Sequence, residues 1–280
     1  HNDDLLKEIE KAENNINEIY DSTSWKITKP LRQFKIIKQK INILRRCKKN
    51  EIICIMCVFN EEQNIEMCVK HLYDYVDKFV IFDDWSTDNT VKIISKFPKV
   101  VKIIKNNIKK NEVYKEKDNR EKLLNETYNI SESKNPWVVC IDPDERFEIK
   151  FLKNLKKITN EYNNKNVVLS IRFRELWDNY KQYRIDGIWN QKRKGIIFQI
   201  RKQMTFDYKY QIHAPWAYKE IANNVIELDY NLYHLKMIIQ ESRKERAELY
   251  NKLDPNKLMQ PIGYDYLNDI KDLKTKKISF

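Results

Sequence analysis

The chain has 280 residues, 41% of them apolar, and a formal net charge of +12, so it can bury one substantial core and is basic as a whole. Only three glycines occur, Gly187, Gly195 and Gly263, and none stands near another. That excludes a GxGxxG dinucleotide loop and a Walker phosphate loop, which need clustered glycines for close backbone approach.

The charge is uneven along the chain. Residues 1–24 carry two basic and seven acidic side chains, whereas residues 25–50 carry ten basic ones and no acid. Leu5, Ile9, Ala12, Ile16 and Ile19 form a heptad seam, and Phe34, Ile37, Ile41 and Leu44 repeat the spacing. Residues 1–50 therefore read as a coiled-coil and basic amphipathic helical segment, with Pro30 near the start of the second helix. Two readings stand side by side. The helices pack as a hairpin on a coiled-coil partner or a neighbouring module, or their cations hold the protein peripherally against an anionic membrane. Nucleic acid is not among the expected partners, because the basic run offers only Trp25 and Phe34 for stacking. The chain opens on His1 rather than Met, which reads as a piece of a longer protein.

The longest apolar run, residues 52–59, is far shorter than the roughly 20 residues that span a bilayer. No signal-peptide pattern opens the chain, and five cysteines at irregular spacing suit a reducing compartment, so the expected location is cytoplasmic, at most peripheral at the inner membrane face. Cys54 and Cys57 spell C-x-x-C inside a strand-like run, where they face opposite sides and read as core.

From residue 51 strands alternate with helices. Residues 51–59 predict a buried strand and 61–76 a helix, followed by a strand over 78–82 that ends at Asp83-Asp84. A helix over 87–96, a strand over 100–104, a polar helix over 113–131 and a strand over 137–141 complete the order. This βαβαβαβ pattern argues for an α/β fold with a mostly parallel sheet, in which ligands bind at the carboxyl ends of strands. Phe59-Asn60-Glu61-Glu62, Asp83-Asp84 and Asp142-Pro143-Asp144 all fall there. Two carboxylates at i and i+2 just past a strand end can face one point, and Pro143 favours the turn that lets them. Hard oxygen ligands of this kind suit Mg²⁺ or Mn²⁺ shared with substrate phosphates.

The run IICIMCVFNEEQNIEMCVKHLYDYVDKFVIFDDWSTDNT (residues 52–90), followed by NPWVVCIDPDERF (residues 135–147), resembles the nucleotide-sugar half of family 2 glycosyltransferases. A looser likeness runs through residues 176–202, 212–216 and 233–256, and STSWKITKPLR (residues 22–32) is similar to a motif of bacterial surface-polysaccharide enzymes. The resemblance implies a GT-A fold over 51–280, with a donor half at 51–150 and an acceptor half with C-terminal helices at 151–280. It further implies that Phe59, Asn60 and Glu62 line the base and ribose end, that Asp84 hydrogen-bonds the base and that Arg120 approaches from the other side. Asp142 then lies near ribose and metal, with Asp144 as direct ligand of Mn²⁺ or Mg²⁺. The family often has glycine where Trp85 and Asn89 stand, and a His-Glu pair where this chain has His213-Ala214.

For the second half, the acceptor base is expected at His213 or Asp186, with Glu175 and Asp178 next in line; His213 also suits a third metal ligand. Trp189 reads either as an aromatic platform for an acceptor sugar or as packed inward, and His234, between Tyr233 and Leu235, as packed. Residues 241–250 read as a solvated helix that closes the fold. The expected activity is a metal-dependent, inverting glycosyltransferase that moves a sugar from a nucleoside-diphosphate donor to a hydroxyl of a cell-surface glycan or lipid-linked glycan. A nucleotidyltransferase and a catalytically silent GT-A scaffold that docks partners or membrane are the alternatives.

Overall fold

A computed structural model describes residues 50–106, 115–202, 204–209, 214–258 and 260–278. The expected helical segment therefore falls, but for Asn50, outside the described residues, and so does His213. From Asn50 onward the chain forms one unit.

Strand β1 (Ile52–Val58) lies at the centre of the first half and is buried along nearly its whole length, as an unbroken apolar run must be when both sheet faces are covered. It pairs in parallel with β2 (Lys78–Asp83) on one side and with β4 (Trp137–Cys140) on the other. Strand β3 (Val100–Lys105) pairs in parallel with β2 at the edge. Cys54 is buried and Cys57 half-buried on β1, and burial pushes both thiols up.

Helix α1 (Ile65–Leu72) buries Ile65, Cys68, Val69 and Leu72, the spacing of one helical face. It starts later than its apolar pattern predicts. Asn60 is left-handed at φ 52°, and the next two backbone N–H groups are already spent, Glu61 on Thr90 Oγ1 (2.7 Å) and Glu62 on Asp88 Oδ2 (3.1 Å). The same interlock shortens α2 to Thr90–Ile94, because Thr87 N donates to Asn60 Oδ1 and Asn89 N to Glu62 Oε2. Trp85 sits in this interlock with φ 71°, a conformation that a glycine adopts without steric cost. Helix α3 (Glu116–Ile130) then leads into β4.

The second half adds α4 (Ile149–Glu161), β6 (Val168–Glu175), β7 (Gln182–Arg184), β8 (Arg193–Gln199) and β9 (Val225–His234). Short β5 (Glu145–Phe147) immediately follows the Asp142-Pro143-Asp144 turn. Among the described residues the main sheet has eight strands in the order β3-β2-β1-β4-β8-β6-β9-β5. The sheet is parallel from β3 to β4 and again between β6 and β9, while β8 runs antiparallel to β4 and β6, and β5 antiparallel to β9. This is the mostly parallel sheet of the GT-A fold expected from the sequence.

Gly195 on β8 stands opposite Ser170, where the β6 register slips. A Cβ there would lie 2.8 Å from Val168 Cγ1, on a side chain that is itself buried. Gly195→Ala is therefore expected to cost about 1–3 kcal/mol through overpacking. Urea denaturation checks it, as a lower midpoint at unchanged slope.

A second, smaller core joins Trp177, Trp189, Met237, Ala247, Tyr264 and Leu267. It packs helix α5 (Gln240–Leu253) through buried Arg243 and Ala247, and β10 (Thr275–Lys277) pairs with β7 beside it. No helix among the described residues is long and apolar enough to cross a membrane.

Candidate active site

The order β3-β2-β1-β4 places β2 and β4 on opposite sides of β1, so the connections diverge there. A crevice opens at the carboxyl ends of such strands. Here it is a cleft of about 390 Å³. The end of β1 contributes Phe59 and Glu61, the end of β2 Asp84, and the start of α3 Arg120. The turn after β4 contributes Asp142 and Asp144, the end of β9 His234, and α5 Arg246 and Tyr250.

The acidic turn is held from several directions. Glu145 N donates to Asp142 O (3.0 Å), and Arg146 donates to Pro143 O (2.6 Å) and to Asn64 O (3.1 Å). Lys194 on β8 reaches Asp142 Oδ2 at 3.1 Å and also pairs with buried Glu145. Burial works against ionised Asp142, but Lys194 and Arg120 together outweigh it and hold the carboxyl below its usual range. Glu145 keeps the effect of burial and is pushed up to about 7.

Asp144, 8% exposed, faces His234, with Oδ2 3.2 Å from Nε2. Burial opposes charge on both, yet the imidazole and nearby cations hold the Asp144 carboxyl far below its usual range. The Glu175 and Asp144 carboxylates push His234 up to about 9. Glu61 is pushed up to about 7 by burial first and by Asp144 next.

Of the residues singled out in the sequence, Phe59, Asp84, Arg120, Asp142 and Asp144 converge on this cleft. Asp84 is anchored by its N–H on Val58 O (2.8 Å) and by Asn106 Nδ2 on its Oδ1 (2.6 Å). Arg120 pairs with Glu116 and stacks 4.3 Å over Trp216. Asn60 and Glu62 are not brought in. Asn60 Oδ1 accepts from Thr87 and Glu62 Oε2 from Asn89, and these bonds lock the loop that follows Asp84.

Two expectations for the second half are corrected. Asp186 accepts a two-oxygen contact from Arg184 Nε (2.8 and 3.0 Å) and a bond from Lys274 N (3.1 Å), and it does not line the cleft. Trp189 is 2% exposed inside the second core, against Trp177 and Tyr266, and presents no face to a sugar. Asp178 is engaged by Arg243 at 3.0 Å. The residue that sequence reasoning missed is His234. Its apolar neighbours made it read as core, and the signal available was its place at the end of a strand that follows the acidic turn.

The donor set can be tested against a divalent cation. Among the described residues no three His, Cys, Asp or Glu side chains form a metal-holding group. Asp144 and His234 do offer an oxygen and a nitrogen, 3.2 Å apart at the cleft wall. Mg²⁺ and similar ions commonly take one or two carboxylates and complete their shell with phosphates and water. The residues present therefore fit an ion shared with a diphosphate and not a closed protein cage.

A second cleft of about 670 Å³ adjoins the first and shares Arg120, Asp142, Arg246 and Tyr250 with it. The rest of its wall includes residues of β6 and β8, Tyr208, and Ala214, Pro215 and Trp216.

Residues 53–223 match the model of a family described as Glycosyl transferase family 2. No curated protein matches the chain. Among solved structures, the chain is similar to glucosyl-3-phosphoglycerate synthase from Mycobacterium tuberculosis in complex with Mn²⁺, uridine diphosphate and glucosyl-3-phosphoglycerate. Identity is 16%, with 48% of this chain and 47% of that chain covered and a TM-score of 0.32. The complex of that synthase with Mg²⁺ and uridine diphosphate gives 16% identity, the same coverage and a TM-score of 0.31. The match spans about half the length of those chains.

Proposed function

The chain belongs to glycosyl transferase family 2 and is a glycosyltransferase, and we propose that it transfers a sugar, with inversion, from a nucleoside-diphosphate donor to a hydroxyl of a cell-surface glycan. The observation that carries this reading is the convergence of Asp84, Asp142, Asp144 and His234 on one cleft at the strand ends. Asp84 and Phe59 hold the base, and Arg120 closes on the nucleotide from α3. Asp142, fixed by Lys194, meets the ribose side, and Asp144 with His234 holds Mn²⁺ or Mg²⁺. When bound, such an ion neutralises the diphosphate and helps it depart.

The donor half is 51–150 and the acceptor half 151–280, with the acceptor entering through the adjoining cleft. His213 remains the proposed proton acceptor, since its neighbours Ala214 to Trp216 line that cleft. An in-line attack needs one base on the acceptor hydroxyl and one positive centre at the leaving group. Residues 25–50, with their ten cations, suit attachment to an anionic inner membrane face in a surface-polysaccharide system.

A thermal-shift panel of UDP, GDP, TDP and CMP, with and without Mn²⁺ or Mg²⁺, tests the donor site. One nucleotide is expected to raise the melting temperature in a metal-dependent way, since a ligand at 100 times its Kd adds about 2.7 kcal/mol. No shift with any of them leaves a silent scaffold as the reading.

A further inference from the structure

We propose that Glu175 is a positioning residue for the divalent-cation site: it grips His234 from behind and turns the ring's other nitrogen toward Asp144. This rests on the reading of His234 as a ligand given above. The parallel register of β6 and β9 sets Glu175 directly beside His234, each the last residue of its strand. Backbone bonds fix the pair on both sides, with Leu176 N on His234 O (2.9 Å) and Leu235 N on Asp144 O (2.9 Å). The ring packs against Phe173, centroid to centroid 5.1 Å. Its Nδ1 lies 2.5 Å from Glu175 Oε2, and its Nε2 lies 3.2 Å from Asp144 Oδ2.

An imidazole has only two nitrogens. When Nδ1–H is donated to a carboxylate, the ring cannot rotate away, and a metal that displaces the Nε2 proton meets that nitrogen's lone pair. Glu175 is 2% exposed. A carboxylate so deep needs partners, and it has one more: Lys192 Nζ at 3.5 Å from Oε1. That ammonium lies 3.9 Å over the Trp189 ring and 5.4 Å over Tyr266. A continuous line of contacts thus runs from the second aromatic core through Lys192 and Glu175 to His234 and Asp144.

The test is Mn²⁺ affinity, read by electron paramagnetic resonance at saturating UDP, in a double-mutant cycle. Glu175→Ala and His234→Ala are each expected to weaken Mn²⁺ binding about 10–100-fold. The double variant is expected to be no weaker than His234→Ala alone, because Glu175 acts only through the ring. Glu175→Gln, whose amide oxygen still accepts from Nδ1–H, is expected to recover part of the loss. Additive losses, or wild-type affinity in Glu175→Ala, overturn the proposal. Unchanged affinity in His234→Ala instead overturns the ligand reading on which it rests. Should Glu175→Ala fail to fold, Glu175→Gln takes its place in the cycle: a loss that disappears in the His234→Ala background supports the proposal, and one that adds to it overturns the proposal.

Discussion

Turnover of the Asp144→Asn enzyme is expected to fall by roughly 10²–10³, the scale on which removal of one electrostatic stabiliser at a leaving group acts. The substitution keeps the side-chain volume, and the turn stays tied by Glu145 N on Asp142 O and by Arg146 on Pro143 O. The fold should therefore survive while the metal-dependent part of the UDP thermal shift disappears. The two readouts are linked. A variant that loses turnover but keeps the full metal-dependent shift would move the cation away from Asp144. Chelation of the wild-type enzyme should reproduce the same loss, and excess Mn²⁺ should reverse it only in the wild type.

Asp186→Ala is expected to destabilise the protein by about 3 kcal/mol, because removing one partner of a buried pair strands the other. Arg184 is 3% exposed, sandwiched 4.5 Å from Trp177 and 4.8 Å from Trp189, and its Nη1 already has no partner. Its guanidinium depends on Asp186 for neutralisation. Burial tends to raise the Asp186 carboxyl, but Arg184 and the Lys274 N–H outweigh it and hold it below the ordinary range. A depressed folded pKa gives stability that is complete above the unfolded value of about 3.9 and lost as pH falls through the folded one. Urea midpoints at neutral and acidic pH should therefore differ more for the wild type than for Asp186→Ala. Turnover per folded molecule, measured well below the melting temperature, should be nearly unchanged. A large loss of turnover without a loss of stability would return Asp186 to the chemistry.

These residues show what a sequence does and does not disclose. Strands β1, β2 and β4 are covered on both faces, so they stand out as apolar runs, and the acids at their ends point to the cleft. Asp84 and Asp142 were legible for that reason. Asn60 and Glu62 share the same address, yet their oxygens serve backbone N–H groups more than 20 residues away. Position at a strand end cannot tell a ligand contact from a loop lock. Trp189 sits beside a glycine turn, and only the arrival of residues 264–267 from far along the chain makes it core. His234 was hidden by a different cause, because its two carboxylate partners, Asp144 in a turn and Glu175 on β6, come from about 90 and 60 residues earlier.

Strand β5 begins only five residues after β4 ends, yet three strands separate them in the sheet. A flat sheet would set them about 19 Å apart at 4.8 Å per strand, whereas five residues reach only about 17 Å. From β4 to its β5 edge the sheet has to curl until the Asp142-Pro143-Asp144 turn bridges the two strands like a clasp. Closure of that clasp waits on β9, whose last residues are nearly 90 positions beyond β5. Contacts of such separation form late in folding. A chain cut short before residue 225 would hold the first four strands and the acidic turn but leave β5 without its mate, so proofreading by proteases would meet an open edge beside the cleft.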